Sequence, residues 1–370
     1  MKIIKQILKN LSALTLISSF GVHAIFASDA KAATETMDIQ KLLQKHIEDA
    51  RAVGAAVALI DHGNVQFFTY GKKCIHSTEY ISNETIFEIG SITKVFTTFA
   101  LMHLVAKGDV QLDDPIEMYL PEMNIPEFEG KKITLRHLAT HTSGLPRKQD
   151  NFNPKDPTNP YKDYTIDRLF DFLNYYSLIR APGASFEYSN IGMGLLGHIL
   201  SLRSGKNYEE LIHDLIAKDM PNTSISLTPE MMTNFASGHH SKQEVRHWDI
   251  ALPGMGALHS NIEDMLQFLK INMGYSDSPN ANLLQLCQQK QHSPTADFDV
   301  GLGWMLSKST SNHSDIIWHN GGTGGFSSFL GFNAKIQRGV VILSNSDEDW
   351  VDEFGFFLLD LDDQNFSFSN

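Results

Sequence analysis

The 370 residues carry 30 Lys plus Arg against 43 Asp plus Glu, a net charge of −13, with 42% hydrophobic, 20% charged and 10% aromatic side chains. That balance excludes a disordered polyelectrolyte and a low-complexity or collagen-like chain. The negative charge, with no basic run against it, argues against a nucleic-acid partner.

Lys2, Lys5 and Lys9 precede the mostly apolar stretch 11–27, and Ala30-Lys31-Ala32 supplies the small residues of a cleavage site. Residues 1–32 therefore read as a secretory signal peptide. Ser12, Thr15, Ser18, Ser19 and His23 interrupt the apolar stretch, which falls short of the ~20 apolar residues of a spanning helix. The expected product, residues 33–370, is exported to the periplasm or secreted and keeps no stable membrane span. Loss of the leader's four lysines and one aspartate takes the net charge to −16. Cys74 and Cys287 would then meet an oxidising compartment. A core of this size needs no staple, so two unpaired buried thiols are expected.

After a helical opening at residues 37–53, two β-rich runs, 54–60 and 65–71, flank the turn cluster Asp61-His62-Gly63-Asn64 and read as a hairpin. Helix-forming stretches follow at 93–106, 166–175, 193–203, 208–216 and 262–272. The strand signature returns at 301–307, 316–319, 327–333 and 339–344, before a last helical segment at 350–361. The simplest assembly is an α/β (α+β) fold. One antiparallel sheet is built from both ends of the chain (37–88 and 300–370) and flanked by helices, with a mostly helical region, 89–299, inserted between its halves. Catalytic groups would sit in the seam. Residues 147–164, crowded with Pro, Asn, Asp and Lys, read as a long exposed loop, either a lid or a solvated excursion.

Phe87-Glu88-Ile89-Gly90-Ser91-Ile92-Thr93-Lys94 opens the 93–106 helix, where Val95, Phe96, Phe99, Met102, Leu104 and Val105 leave little polar surface. Such a helix is a buried central one. Positions 91 and 94 share a face, so the Lys94 ammonium can reach the Ser91 hydroxyl. A serine hydroxyl attacks a carbonyl only when a base takes its proton, and a desolvated lysine with a lowered pKa can be that base. The helix N-terminus adds N–H groups where an oxyanion would develop. Ser-x-x-Lys alone is a weak signal, whose usual meaning is a surface serine beside a solvated lysine.

Two more fragments accompany it: Phe186-Glu187-Tyr188-Ser189-Asn190, and Trp318-His319-Asn320-Gly321-Gly322-Thr323-Gly324-Gly325-Phe326. With them the chain resembles the serine β-lactamase and penicillin-binding superfamily, in its class C β-lactamase-like branch. The motifs Ser-x-x-Lys, Tyr-x-Asn and Lys/His-x-Gly are matched in order by Ser91/Lys94, Tyr188/Asn190 and His319/Gly321. Leu112-Asp113-Asp114-Pro115, Thr140-His141-Thr142-Ser143-Gly144-Leu145-Pro146 and Gly254-Met255-Gly256-Ala257-Leu258-His259-Ser260 look like that family too, and the likeness runs from about residue 43 to 346.

The resemblance implies a β-lactamase/transpeptidase-like fold and an exported serine hydrolase, monomeric and without cofactor or metal. It would form an acyl-enzyme on a β-lactam or a D-Ala-D-Ala-like peptidoglycan peptide. Ser91 would be the acylated nucleophile, Lys94 its ammonium neighbour, and Tyr188 a proton-shuttling phenol whose pKa nearby cations draw down from ~10. Asn190 would bind the substrate's side-chain amide. The backbone N–H groups of Ser91 and Gly322 would form an oxyanion hole, and His319, Asn320, Gly321 and Gly322 would line the substrate. Class C enzymes carry Lys-Thr-Gly where this chain has His319-Asn320-Gly321. A carboxylate would thus meet an imidazole of unperturbed pKa ~6.5, and its recognition would fade as pH rises. Histidine here resembles certain D-alanyl-D-alanine peptidases, D-aminopeptidases and esterases. An esterase or D-aminopeptidase on the same scaffold and a non-catalytic cell-wall-binding pseudoenzyme are the alternatives.

Other patterns carry less. Gly192-Met193-Gly194-Leu195-Leu196-Gly197 matches a dinucleotide fingerprint without its βαβ unit, and helix packing accounts better for the glycines. No Gly-x-Ser-x-Gly occurs, which removes the nucleophile elbow. His137 with His141, and His239 and His240 with His247, lack the partners of a zinc motif and read as packing or surface histidines. Thr142-Ser143-Gly144 reads as a turn.

Overall fold

A computed structural model describes residues 38–309 and 315–360, so the 1–32 leader lies outside the described residues. Helix α1 (Ile39–Asp49) starts on Asp38, whose carboxylate accepts from the Lys41 N–H, and buries Ile39, Leu43 and Ile47. The hairpin follows as β1 (Gly54–Asp61) and β2 (Asn64–Gly71), paired antiparallel around the expected turn. β1 is buried at every position because both faces of the sheet are covered. Ala55, Val57 and Leu59 pack into the layer of the terminal helices, while Ala56, Ala58 and Ile60 pack into the layer of inserted helices. A strand's period of two sorts those residues onto opposite faces.

Next come β3 (Phe87–Glu88), a 3₁₀ turn over Gly90–Ile92, and α2 (Thr93–Lys107), buried all round from Thr93 to Met102 as the central helix and closed by Gly108 in the left-handed region (φ 78°). The inserted region holds α3 (Leu135–Ala139), α4 (Ile166–Tyr175), α5 (Asn190–Ser204), α6 (Tyr208–Ile216), α7 (Pro229–Asn234), the small strands β4 (Gly238–His240), β5 (Gln243–Val245) and β6 (His259–Ser260), and α8 (Ile262–Met273) and α9 (Ala281–Cys287). The chain returns to the sheet as β7 (His292–Thr295), β8 (Phe298–Val300), β9 (Met305–Lys308), β10 (Asp315–Thr323), β11 (Phe326–Asn333) and β12 (Arg338–Ser344), and ends in α10 (Trp350–Asp360). The sheet order is β2-β1-β12-β11-β10-β9-β8-β7, antiparallel throughout, so the two ends of the chain meet at the β1–β12 pair. Among the described residues no helix is long and apolar enough to cross a membrane.

Three expectations need correction. The run 301–307 is not one strand: Gly303 sits at φ +72° and a Cβ on Gly301 would fall 2.5 Å from the Cys287 carbonyl oxygen, so the chain breaks between β8 and β9. The 147–164 segment has no helix or strand, yet it is anchored rather than wholly exposed. Gln149, Asn159 and Tyr164 are buried, and the Tyr164 hydroxyl donates to Asn151 Oδ1 at 2.8 Å. Both cysteines are unpaired, but only Cys287 is buried, its thiol pushed up to about 12 by that burial, while Cys74 is half-buried. The glycines of α5 do serve packing. A Cβ at Gly194 would lie 2.9 Å from Leu252 Cβ, and one at Gly197 would lie 3.0 Å from Gly254 Cα.

Candidate active site

Ser91 lies in the turn that feeds α2, at the edge of β10. Gly90 makes that turn in the left-handed region (φ +51°), and a Cβ there would stand 2.7 Å from the Gly322 nitrogen. On the other side of the same junction, a Cβ on Gly321 would overlap the Ile89 carbonyl oxygen, which also accepts from Ser328 Oγ at 2.9 Å. Glycine at both positions lets the backbone of β10 close on the turn, which brings the Gly322 nitrogen against Gly90, the residue before Ser91. The two backbone donors expected of an oxyanion hole thus belong to neighbouring segments.

Lys94 Nζ is 2.8 Å from Ser91 Oγ and donates to the Met255 carbonyl at 2.5 Å. The lysine is fully buried among apolar neighbours of α2, and this desolvation, with the Arg147 charge nearby, holds its ammonium well below the usual lysine range. Tyr188 comes from the segment ahead of α5, and its phenol hydrogen-bonds Ser91. Lys94 Nζ stands 5.0 Å from the ring centroid and the Arg147 guanidinium 5.3 Å. Three distant stretches, 91–94, 188 and 319–322, therefore meet in one place. Asn190 opens α5 close by, and its side chain hydrogen-bonds the hydroxyl of Tyr161, which belongs to the 147–164 segment.

A model of the Beta-lactamase family matches residues 39–360. The chain belongs to that family. It is 28% identical over 342 residues to a beta-lactamase of Escherichia coli (strain K12), covering 83% of this chain and 88% of that protein. It is 29% identical over 307 residues to the D-alanyl-D-alanine-carboxypeptidase/endopeptidase AmpH of the same organism, covering 79% of each. Among solved structures, a beta-lactamase/D-alanine carboxypeptidase from Yersinia pestis, complexed with citrate, superposes with a TM-score of 0.72 at 26% identity, covering 83% of this chain and 92% of that one. A class C beta lactamase from Rhodobacter sphaeroides, at 23% identity and the same TM-score, shares the fold.

Within this β-lactamase-family site, two sequence expectations change. Nearby cations do not draw the Tyr188 phenol down: burial outweighs the Ser91 hydrogen bond and the Arg147 charge and raises it above the ordinary tyrosine value. His319 does not titrate near neutrality either. Its ring is wholly buried, Nδ1 pairs with the Asn320 carbonyl at 2.6 Å, Nε2 has no partner, and burial plus the Lys94 charge bring its pKa to about 3. The imidazole is therefore neutral across the working range and supplies no cation for a carboxylate. Asn320 turns its amide to Asp352 of α10 at 2.7 Å, a carboxyl that burial raises to about 7.

His141, read from sequence as a packing histidine, stacks on Tyr188 with ring centroids 4.4 Å apart. Its Nδ1 accepts from the Ser189 N–H at 3.1 Å, which fixes the proton on Nε2. Buried as it is, the ring stays neutral and holds the face of Tyr188 in place. Arg147 and Tyr161 also reach the site. In sequence this neighbourhood is flagged by the run Thr140-His141-Thr142-Ser143-Gly144 and by the 147–164 segment, and His141 sits in the left-handed region at φ +56°.

Proposed function

We propose that this chain is an exported serine hydrolase that acts through a covalent acyl-enzyme on β-lactam or D-Ala-D-Ala-like amide substrates. The observation that carries the reading is the contact of one hydroxyl with both a depressed, buried amine and a neutral phenol. Membership of the β-lactamase family supports a hydrolase of this type. The basic, interrupted-apolar leader at residues 1–32 supports export.

Ser91 Oγ attacks the acyl carbon while its proton passes to Lys94, whose pKa burial holds well below the usual lysine range, favouring the neutral amine that accepts it. The developing oxyanion lies between the N–H groups of Ser91 and Gly322, fixed donors that need no reorganisation. Tyr188, a protonated phenol beside Ser91 Oγ, hands a proton to the leaving amine nitrogen as the carbon–nitrogen bond breaks and is reprotonated from Lys94. In deacylation water attacks the ester carbon, and its proton returns by the same relay to Ser91 Oγ. Asn190 binds the substrate amide, and the Arg147 guanidinium, 5.3 Å from the Tyr188 ring, is a second cation beside Lys94 at a cleft where His319 supplies none.

The neutrality of His319 favours one second reading, an esterase or D-aminopeptidase, whose substrates carry no carboxylate for that position to hold. A panel of nitrocefin, diacetyl-Lys-D-Ala-D-Ala, D-Ala-p-nitroanilide and p-nitrophenyl acetate separates the two. Turnover of either of the first two supports the proposal, and turnover confined to the last two overturns its substrate class. Ser91→Ala should lose every activity found, and retained turnover would exclude the mechanism.

A further inference from the structure

At the β3–β6 ladder, three potential ligands converge that the acyl-transfer reading does not use. Glu88, His247 and His259 each bring one donor atom into a group lying within 4.8 Å of one another. Glu88 and His259 are directly opposed in the two-residue β3–β6 ladder, and the His259 backbone is clasped on its other side by Ser224, with N···O distances of 2.8 and 3.1 Å. The positions of these two side chains are therefore set by paired backbone rather than by a free loop.

The cluster is short of hydrogen bonds. Oε2 of Glu88, only 4% exposed, has no partner, and the His259 ring, only 6% exposed, makes no well-aligned hydrogen bond and has only the Ser224 and Ile225 backbone beside it as acceptors. Buried polar atoms left bare in this way cost stability and mark a place for a water or an ion. His247 is oriented as a metal ligand is. Its Nε2 faces Asp249 Oδ1 at 3.3 Å, while its Nδ1 points at Glu88 Oε1, 2.9 Å away. A carboxylate behind one imidazole nitrogen, with the other nitrogen aimed at the site, is the usual support of a metal-bound histidine. The two imidazole centroids are 6.0 Å apart, and two histidines on one tetrahedral zinc stand at about 5 Å, so a small rotation of the half-buried His247 closes the gap. Phe235 covers the cluster edge-on, 5.4 Å from His259 and 6.2 Å from His247.

We propose that Glu88, His247 and His259 bind one zinc(II) ion, with water from the side of His247 as the fourth ligand. Two imidazoles and one carboxylate suit zinc, whereas calcium and magnesium want all-oxygen shells. The ion ties the 246–249 segment to β3. That segment carries Trp248, which packs against Gly324 and stands 5.4 Å from Tyr161, and Asp249, which accepts from Asn159 at 2.8 Å. Zinc is a clamp behind the 147–164 segment and takes no part in acyl transfer.

The test uses the full chain stripped with EDTA, dialysed, and titrated with zinc chloride by equilibrium dialysis, then with cobalt(II) as a visible probe. The expected result is about one zinc per chain, the d–d absorption of four-coordinate cobalt, and a thermal midpoint raised by roughly 4 °C at a hundredfold excess over Kd. His247→Gln changes a partly exposed side chain and Glu88→Gln is isosteric; both should lose stoichiometric zinc and the cobalt band, while His240→Gln, on the exposed pair with Asp347, should keep both. Substoichiometric binding by the unaltered chain overturns the site. So does undiminished binding by either Glu88→Gln or His247→Gln.

Discussion

Replacing His319 with glutamine should remove a specific pH dependence from folding stability. In the folded chain the buried ring has a pKa of about 3, against 6.5 for an ordinary histidine. The folded state therefore holds this proton less tightly than the unfolded state, so stability is full above pH ~7 and is lost as pH falls from 6.5 towards 3. At about pH 5 the unfolded ring is almost wholly protonated and the folded ring is neutral. The gap of about 1.5 pH units below 6.5 is then worth roughly 2 kcal/mol. Urea unfolding followed at about pH 8 and pH 5 reads this directly, as an acid shift in midpoint roughly 0.5–1 M larger in the unaltered protein than in His319→Gln. His141 is present in both and cancels in the comparison. Equal acid shifts in the two proteins would refute the claim that a neutral, desolvated imidazole backs this site.

Gly90→Ala should place a Cβ 2.7 Å from the Gly322 nitrogen and strain a φ of +51°. Hydrolysis of whichever panel substrate is turned over should fall ~10²–10³-fold with the fold intact by circular dichroism, and unchanged kcat would disprove the placement of that donor. Asp61→Asn removes the charge of one partner of Arg338, which is fully buried and bonded to Asp61 at 2.8 Å, and should destabilise by about 1–3 kcal/mol in urea unfolding; an unchanged midpoint would mean that the pair adds nothing to stability. Gly194→Ala pushes α5 against Leu252 and should destabilise by about 1–3 kcal/mol, while a neutral result would show slack between those segments.

Much of the frame was legible because local rules and tertiary demands agree. Asp61-His62-Gly63-Asn64 supplies the turn between two strands, and the late strand runs at 327–333 and 339–344 pair as β11 and β12, close to where their β-branched and aromatic residues begin and end. The order of Ser91, Lys94, Tyr188 and His319 along the chain pointed to their meeting. What stayed hidden depends on neighbours remote in sequence. The break at Gly303 follows from contact with Thr98 and Lys94 on α2, and the buried anchors of the 147–164 segment follow from Asp249 and Arg168. Desolvation was the main omission. Letters showed cations near Tyr188 and a titratable His319, but burial, which only the assembled cleft provides, reverses the first shift and removes the second group from the neutral range. His141 escaped notice as part of the site because its stacking partner lies 47 positions away. Glu88 and His259 look unrelated until the β3–β6 ladder pairs them.

Incubation with a fluorescent penicillin and with an activated p-nitrophenyl ester, quenched on the millisecond scale and followed by intact-mass and peptide mapping, tests the proposed chemistry most directly. The expected product is a single acyl group on the peptide that contains Ser91, absent from Ser91→Ala. An unmodified protein with both reagents at every time point, or an adduct on a different residue, would contradict it.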